Sequence, residues 1–176
     1  MVQRHIVVVP YDAGWSELYR AEAEKLRAVF GSLLVEIHHI GSTSIPGLAA
    51  KPVIDILPLV KDIDQVDHIN DAMTAFGYIA KGEAGISGRR FFIKPSESER
   101  THHVHTFQVG DPEGKRHLAF RAYLIAHPDL IAEYAEIKMK LAQQFPYDIY
   151  GYMDGKDSWI KVVEQKAVVW FQQQHG

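Results

Sequence analysis

His39-Ile40-Gly41-Ser42-Thr43-Ser44-Ile45-Pro46-Gly47-Leu48-Ala49-Ala50-Lys51-Pro52-Val53-Ile54-Asp55-Ile56-Leu57 joins two extended segments through a loop rich in turn formers. Upstream, Leu33 to Ile40 alternates with period two, Leu33, Val35, Ile37 and His39 on one face and Leu34, Glu36, His38 and Ile40 on the other, which predicts a strand. Downstream, Pro52 to Val60 is a continuous apolar run bearing one acid, Asp55, which predicts a buried strand. A lone carboxylate between Val53 and Leu57 is costly to bury unless it is paired or holds a cation.

Working outward, Asp12 is positioned to cap a helix through Phe30. Its inner stripe is Trp15, Leu18, Tyr19, Glu22, Leu26, Val29 and Phe30, with Gly31 as the stop. Asp64 to Phe76 predicts a second helix ended by Gly77, and short strands are expected at Tyr78–Lys81, Phe91–Lys94 and His102–Val109. Residues 81–100, with Gly82, Gly85, Ser87, Gly88, Ser96 and Ser98, are the most loop-like part of the chain. The second half turns helical: His117 to His127, a stripe of Leu130, Tyr134, Ile137, Leu141 and Phe145, and a final helix from Lys156 to Gln173 facing inward through Trp159, Val163, Ala167 and Trp170. Strands flanked by helices argue for an α+β fold, a mixed sheet with packed helices and a helical C-terminal part, formed by residues 1–176 as one unit.

Composition narrows the chemistry. The 176 residues are 47% apolar and 23% charged, enough to bury a core and unlike a disordered chain. A net charge of −3 supplies no global field for nucleic acid or anionic lipid, so nucleic acid is not an expected partner and any polyanion site must be local. The absence of cysteine removes disulfides, thiolate nucleophiles and cysteine-based metal sites. No stretch approaches the ~18 apolar residues that cross a bilayer, and the N-terminal run is cut by Pro10 before it reaches the length of a secretory leader. A cytoplasmic location is expected.

A Gly-Ser turn lets backbone amides and a hydroxyl approach phosphate oxygens, while an acid on the neighbouring strand holds a cation that neutralises them. Gly41, Ser42 and Thr43 therefore suit phosphate, with Asp55 as the candidate catalytic and metal-holding group. His103 and His105 share a strand face about 6–7 Å apart and can join Asp55 around one ion, with His39 as a third nitrogen. Such a nitrogen and oxygen set suits zinc, manganese or nickel better than magnesium, which prefers oxygen alone. The bland alternative makes the histidines hydrogen-bonded cleft residues, Asp55 a cap on loop amides and Ser42 a turn former. Lys51 can reach a phosphate as a point charge, and Arg89, Arg90 and Lys94 surround Phe91-Phe92, with alternation putting Arg90 beside Phe92, as guanidinium forks for an anion or as charge guarding an edge strand. Periodicity alone makes Arg121, Lys138 and Lys156 surface charges.

The order apolar residue, Gly41-Ser42, spacer, Asp55, apolar residue resembles the nucleotidyltransferase superfamily signature, but the second acid expected at position 57 is Leu57. The segment His39–Ile56, the His103-Val104-His105 strand, the run Leu118-Ala119-Phe120-Arg121-Ala122-Tyr123-Leu124, His127-Pro128, and Tyr134 with Lys138 resemble the GrpB-like family, with Ala122 where the family pattern carries an acid. The resemblance implies a nucleotidyltransferase-type fold, and singles out Arg121, Lys138 and Lys156 as ligand contacts. Two functions follow as expectations. One is binding of a nucleotide or other phosphorylated ligand, with metal-assisted nucleotidyl or phosphoryl transfer using Mg, Mn or Zn. The other, favoured by Leu57, is a catalytically reduced interaction module that works with a partner enzyme such as a dephospho-CoA kinase, to which the family also occurs fused.

Overall fold

The computed structural model describes residues 4–175. Its helices are α1 (Gly14–Phe30), α2 (Asn70–Ala75), α3 (Pro112–Ala126), α4 (Pro128–Gln144) and α5 (Ile149–His175). The strands are β1 (Leu34–Ile40), β2 (Ile54–Val60), β3 (Ile79–Ala80), β4 (Arg90–Pro95) and β5 (Arg100–Gln108), ordered β1-β2-β5-β4-β3. β2 and β5 run parallel while the other neighbours are antiparallel, so the sheet is mixed and the fold α+β, as the strand and helix order predicted. Among the described residues, no helix is long and apolar enough to cross a membrane.

One sheet face carries Ile54, Ile56, Val60, Phe92 and Val104 against Trp15, Leu26 and Phe30 of α1 and against Val66, Met73 and Tyr78. Part of the opposite face, Leu57, Leu59 and Phe107 with Ile40, packs near Leu118 of α3. Ile45 and Leu48, in the turn between β1 and β2, enter a third cluster with Leu124, Tyr134 and Val163 from the C-terminal helices. The turn is thus clamped between sheet and helices, which fixes Gly41 and Ser42 at their junction.

Several boundaries differ from the pattern-based expectation. The helix expected at His117 starts at Pro112, because Asp111 accepts a hydrogen bond from the Glu113 amide (2.8 Å) and Pro112 needs no amide donor in the first turn. The helix expected at Lys156 begins at Ile149 and runs through Gly155. A Cβ at Gly155 would meet a Leu141 methyl at 2.3 Å, so this glycine permits close packing of α4 on α5. Residues 63–69 form 3-10 turns before the short α2, replacing the single helix expected over 64–76. The strand expected at Phe91–Lys94 is β4, longer by one residue at each end. Asp12 does hold the Gly14 amide at 2.7 Å. Leu18, expected on the inner stripe of α1, is 53% exposed, whereas Glu22 is buried, accepting from Tyr78 Oη at 2.6 Å and from Lys94.

Candidate functional site

Strand register decides which chemistry-bearing residues meet. Asp55 lies opposite His103 across the parallel β2–β5 pair, and Phe91 lies opposite His105 across β5–β4. Alternation puts Asp55, Phe91, His103 and His105 on one face. His105 Nε2 is 2.9 Å from Asp55 Oδ1 and His103 Nδ1 is 3.4 Å from the same oxygen. Arg89 Nη1 stands 3.4 Å from His105 Nδ1. A guanidinium only donates, so His105 accepts at Nδ1 and carries its proton on Nε2, directed at Asp55. Burial alone would raise the Asp55 pKa, but the two imidazole contacts outweigh it and hold the carboxyl well below its usual range. Burial lowers the His103 pKa against the pull of Asp55.

These three groups can hold a divalent cation: one donor atom from each lies within 4.8 Å of the others. His103 Nε2 is buried with no hydrogen-bond partner, so the set retains unused donor capacity. Position 57 offers no second acid. Leu57 shares the Asp55 face but is fully buried in the cluster with Leu59 and Phe107, so a two-cation arrangement bridged by paired strand carboxylates is not available.

Above the carboxylate opens a cleft of about 360 Å³. Its lining includes Ser42, Lys51, Arg89, Lys138 and Lys156 with both histidines, and Asp55 is the sole acid among the described lining residues. Lys138, 2% exposed, donates to Ser42 Oγ and to the Ala49 carbonyl at 3.3 Å, and its Nζ lies 4.5 Å from the Tyr134 ring centroid. Lys51 and Lys156 both stand over the Tyr152 ring, at 4.9 and 4.8 Å. Burial followed by mutual repulsion depresses Lys51 to about 7 and Lys138 well below its ordinary value; burial depresses Lys156 to about 8.

A stability trend follows with a defined sign. Unfolded lysines titrate near ~10.4, so from about pH 7 to about pH 10 the unfolded chain binds more protons than the folded one. Stability of the ligand-free protein is expected to rise with pH across this window. Urea denaturation at stepped pH should show the rise, and Lys51→Met should flatten its lower part; an unchanged slope in that variant would contradict the assignment.

The cleft therefore brings together Ser42, Lys51, Asp55, His103, His105, Lys138 and Lys156, the first and last of them from distant parts of the sequence. Four expectations need correction. Arg90 does share a face with Phe92, but it is the face turned away from Asp55, where its guanidinium holds Asp67 at 2.8 Å. His39 points to that same far side, stacked on Tyr19 at 4.7 Å and paired with Thr43 Oγ1 at 3.0 Å. It cannot supply the third nitrogen, and burial keeps it neutral with a pKa near 4. Thr43 is buried and donates to the Val53 carbonyl, so it braces the turn rather than lining the cleft. Arg121 does not line the cleft either and acts electrostatically on Tyr19 and His39. Gly41 stands behind Asp55 and leaves room for it, since a Cβ there would fall 2.5 Å from Asp55 Oδ2.

Of the cations around Phe91 and Phe92, Arg89, not Arg90, faces the histidines, lying 4.4 Å over the Phe91 ring. Two features went unread in the sequence. His117 of α3 lies 5.4 Å from the His105 ring, and burial takes its pKa to about 3. Arg4 and Arg100 extend the basic lining. The Arg89 signal was the alternation itself, with the phase set by Phe91; nothing local marks the other three.

Comparison with known proteins bears on the family and the fold. The profile of the family described as GrpB protein matches residues 5–166. The chain is 48% identical over 168 residues to UPF0157 protein YqkA of Bacillus subtilis, spanning 96% of this chain and about half (49%) of that protein. It is 37% identical over 166 residues to UPF0157 protein PA4798 of Pseudomonas aeruginosa, covering 93% of this chain and 68% of the relative. A dephospho-CoA kinase of Mycolicibacterium paratuberculosis is 27% identical over 187 residues, covering 93% of this chain and 46% of the kinase. Among solved structures, the conserved protein GrpB from Enterococcus faecalis superposes with a TM-score of 0.91 at 41% identity, covering 94% of this chain and 99% of that one. The Cid1 poly(U) polymerase structure with MgGTP bound shares the fold alone, with a TM-score of 0.53 at 16% identity over 77% of this chain and 44% of Cid1. The architecture is that of a nucleotidyltransferase-like fold.

Proposed function

The chain belongs to the GrpB family, and on that premise we propose that its cleft binds a nucleotide or another polyphosphorylated small molecule together with one divalent cation. The observation that carries this reading is the gathering of three depressed lysines, Lys51, Lys138 and Lys156, around a single carboxylate. Crowded buried ammonium groups destabilise the fold unless an anion enters between them, and a chain of phosphates matches their number and point-charge character. Lys138 and Ser42 would hold one phosphate beside the Gly41 turn, with Lys51 and Lys156 on the tyrosine-backed wall.

Asp55, His103 and His105 would hold the cation, with manganese or zinc better matched than magnesium to two imidazoles. When bound, it would neutralise phosphate oxygens and draw charge from a phosphoryl centre. A cation held at His105 Nε2 would require the ring proton to shift to Nδ1, and Arg89 to give up its contact with that nitrogen. Nucleotidyl or phosphoryl transfer in this cleft would use one cation, with the lysines supplying the remaining positive charge that a second carboxylate-held ion provides elsewhere.

Calorimetric titration with each nucleoside triphosphate, with Mn²⁺ or with chelator, tests the proposal. Binding should be measurable without metal and about tenfold or more tighter with Mn²⁺. Asp55→Asn should remove the metal enhancement while leaving the lysine-dependent affinity. No binding of any triphosphate by the folded protein would overturn the reading.

A second reading is favoured by the kinase relative, in which a stretch similar to this chain accompanies further sequence. There the cleft would serve a partner enzyme that handles phosphorylated metabolites. Recovery of a kinase on immobilised protein, combined with no thermal shift from any nucleotide, would support this reading over the first.

A further inference from the structure

The basic lining does not stop at the inner cleft. Arg4, Lys51, Val53 and Arg100 are shared with an adjoining depression of about 250 Å³ that reaches Ser98 and Glu99 on the β4–β5 connection. The two spaces form one groove with Lys51 between its halves. The N-terminal segment is tied over it by the Ile6 amide to the Pro146 carbonyl (2.8 Å) and by the Val9–Ala50 bridge, which brings Arg4 to face Arg100.

The outer half is built against the electrostatics of an empty site. Arg4 makes no ion pair and no side-chain hydrogen bond among the described residues, and the charge of Arg100 acts against its protonated form. Glu97 is the acid that offsets Arg4, but it already accepts from Lys81 and, at 3.0 Å, from Arg100 Nη2. Glu99 lies on the rim and makes no ion pair among the described residues. Two guanidiniums held side by side with a lysine and shared by one committed carboxylate are matched by a multiply charged oxyanion, which both forks can grip.

Register also sets the reach. Asp55 pairs with His103, and Arg100 lies three residues earlier on the same strand, about 10 Å away. We propose that the groove is bipartite, and that Arg4 and Arg100 form a second anion subsite for the phosphomonoester of a small phosphorylated co-substrate about 10 Å from the Asp55 centre. This rests on the polyphosphate reading of the inner cleft for what lies beside it, but not for its own residues.

The test is calorimetric titration of the full chain with inorganic phosphate, alone and with saturating tripolyphosphate. Wild type should bind phosphate in both conditions. The double variant Arg4→Gln/Arg100→Gln should weaken phosphate about tenfold or more and tripolyphosphate by a clearly smaller factor, since both arginines also border the inner cleft but do not form its lysine cluster. The exposed pair Lys61→Gln/Lys140→Gln, which removes the same net charge elsewhere, should leave both affinities within about twofold. A matched thermal midpoint would show that the double variant folds; if it does not, Arg4→Gln alone carries the same expectation at reduced size. Competition between phosphate and tripolyphosphate in wild type, or undiminished phosphate binding in the variant, would overturn the second subsite. Phosphate binding through the two arginines with no tripolyphosphate binding at all would instead keep the subsite and remove the inner polyphosphate reading.

Discussion

Gly41→Ala is expected to lower the stability of the protein by roughly 2–6 kcal/mol and to abolish cation-dependent ligand binding. Two separate costs combine. Gly41 sits at φ 72° and ψ −172°, backbone space that side chains avoid, at a cost of about 1–3 kcal/mol. A Cβ would also fall 2.5 Å from Asp55 Oδ2 and 3.1 Å from its Cβ, so the carboxylate must move or the turn must open, at about 1–3 kcal/mol more. Moving Asp55 pulls it from His103 and His105, which disperses the three proposed cation ligands as well. Gly47→Ala is the matched control: it too has positive φ, 87°, but nothing lies within 4 Å of a Cβ there, so it should show the backbone cost alone. Urea denaturation of the two variants, with Mn²⁺ titration of each, separates the terms. Equal losses would mean that Gly41 serves only the turn and that its contact with Asp55 carries no consequence.

The same glycine shows why the fold was legible and the site only partly so. Local chemistry marks the Gly41-Ser42 turn and the one acid in the β2 run, and strand alternation puts His103 and His105 on one face; register then brings both to Asp55. Alternation gives two faces without saying which one points at the site. Arg90 and His39 obey the pattern and lie on the α1 side, whereas Arg89, one residue out of phase with Arg90, reaches His105. Glycine inside a helical pattern reads as a stop, which hides the first turns of α5; Tyr152 in them is a hydrogen-bond donor by its type, but its role as the ring beneath Lys51 and Lys156 depends on that helix. Arg4 and Arg100 are far apart in sequence and meet only through tertiary pairing of the N-terminal segment, so no window of local pattern contains them both. Lys138 and Lys156 entered through resemblance; as helix positions they look like solvated charges, yet they are 2% and 8% exposed.

Lys156→Met should therefore move stability and binding in opposite directions. In wild type Lys156 makes no hydrogen bond and no ion pair among the described residues, and its Nζ rests only over the Tyr152 ring at 4.8 Å and the Tyr134 ring at 6.0 Å. Burial pulls its pKa to about 8 against the opposing attraction of Asp55, so at neutral pH the folded protein carries a charge that the interior disfavours. Methionine keeps the length and the contact with both rings without that charge. The gain from relieved desolvation is about 1–3 kcal/mol, reduced by roughly 0.5–1 kcal/mol of lost cation–π attraction. The ligand-free variant should accordingly be more stable by about 1–2 kcal/mol at pH 7, and the advantage should shrink from about pH 8 towards pH 10, as the folded wild-type lysine loses its proton and the solution approaches the pKa of the unfolded one. Binding of tripolyphosphate or a nucleoside triphosphate should fall about 10–100-fold, the worth of one charge-assisted phosphate contact. Lys156→Arg tests the shape of the contact, since a guanidinium keeps the charge but must displace the tyrosines to fit. A methionine variant that is less stable than wild type with unchanged affinity would make Lys156 a structural cation. A stabilised variant with weakened binding is the outcome that only a charge retained for an anionic ligand explains.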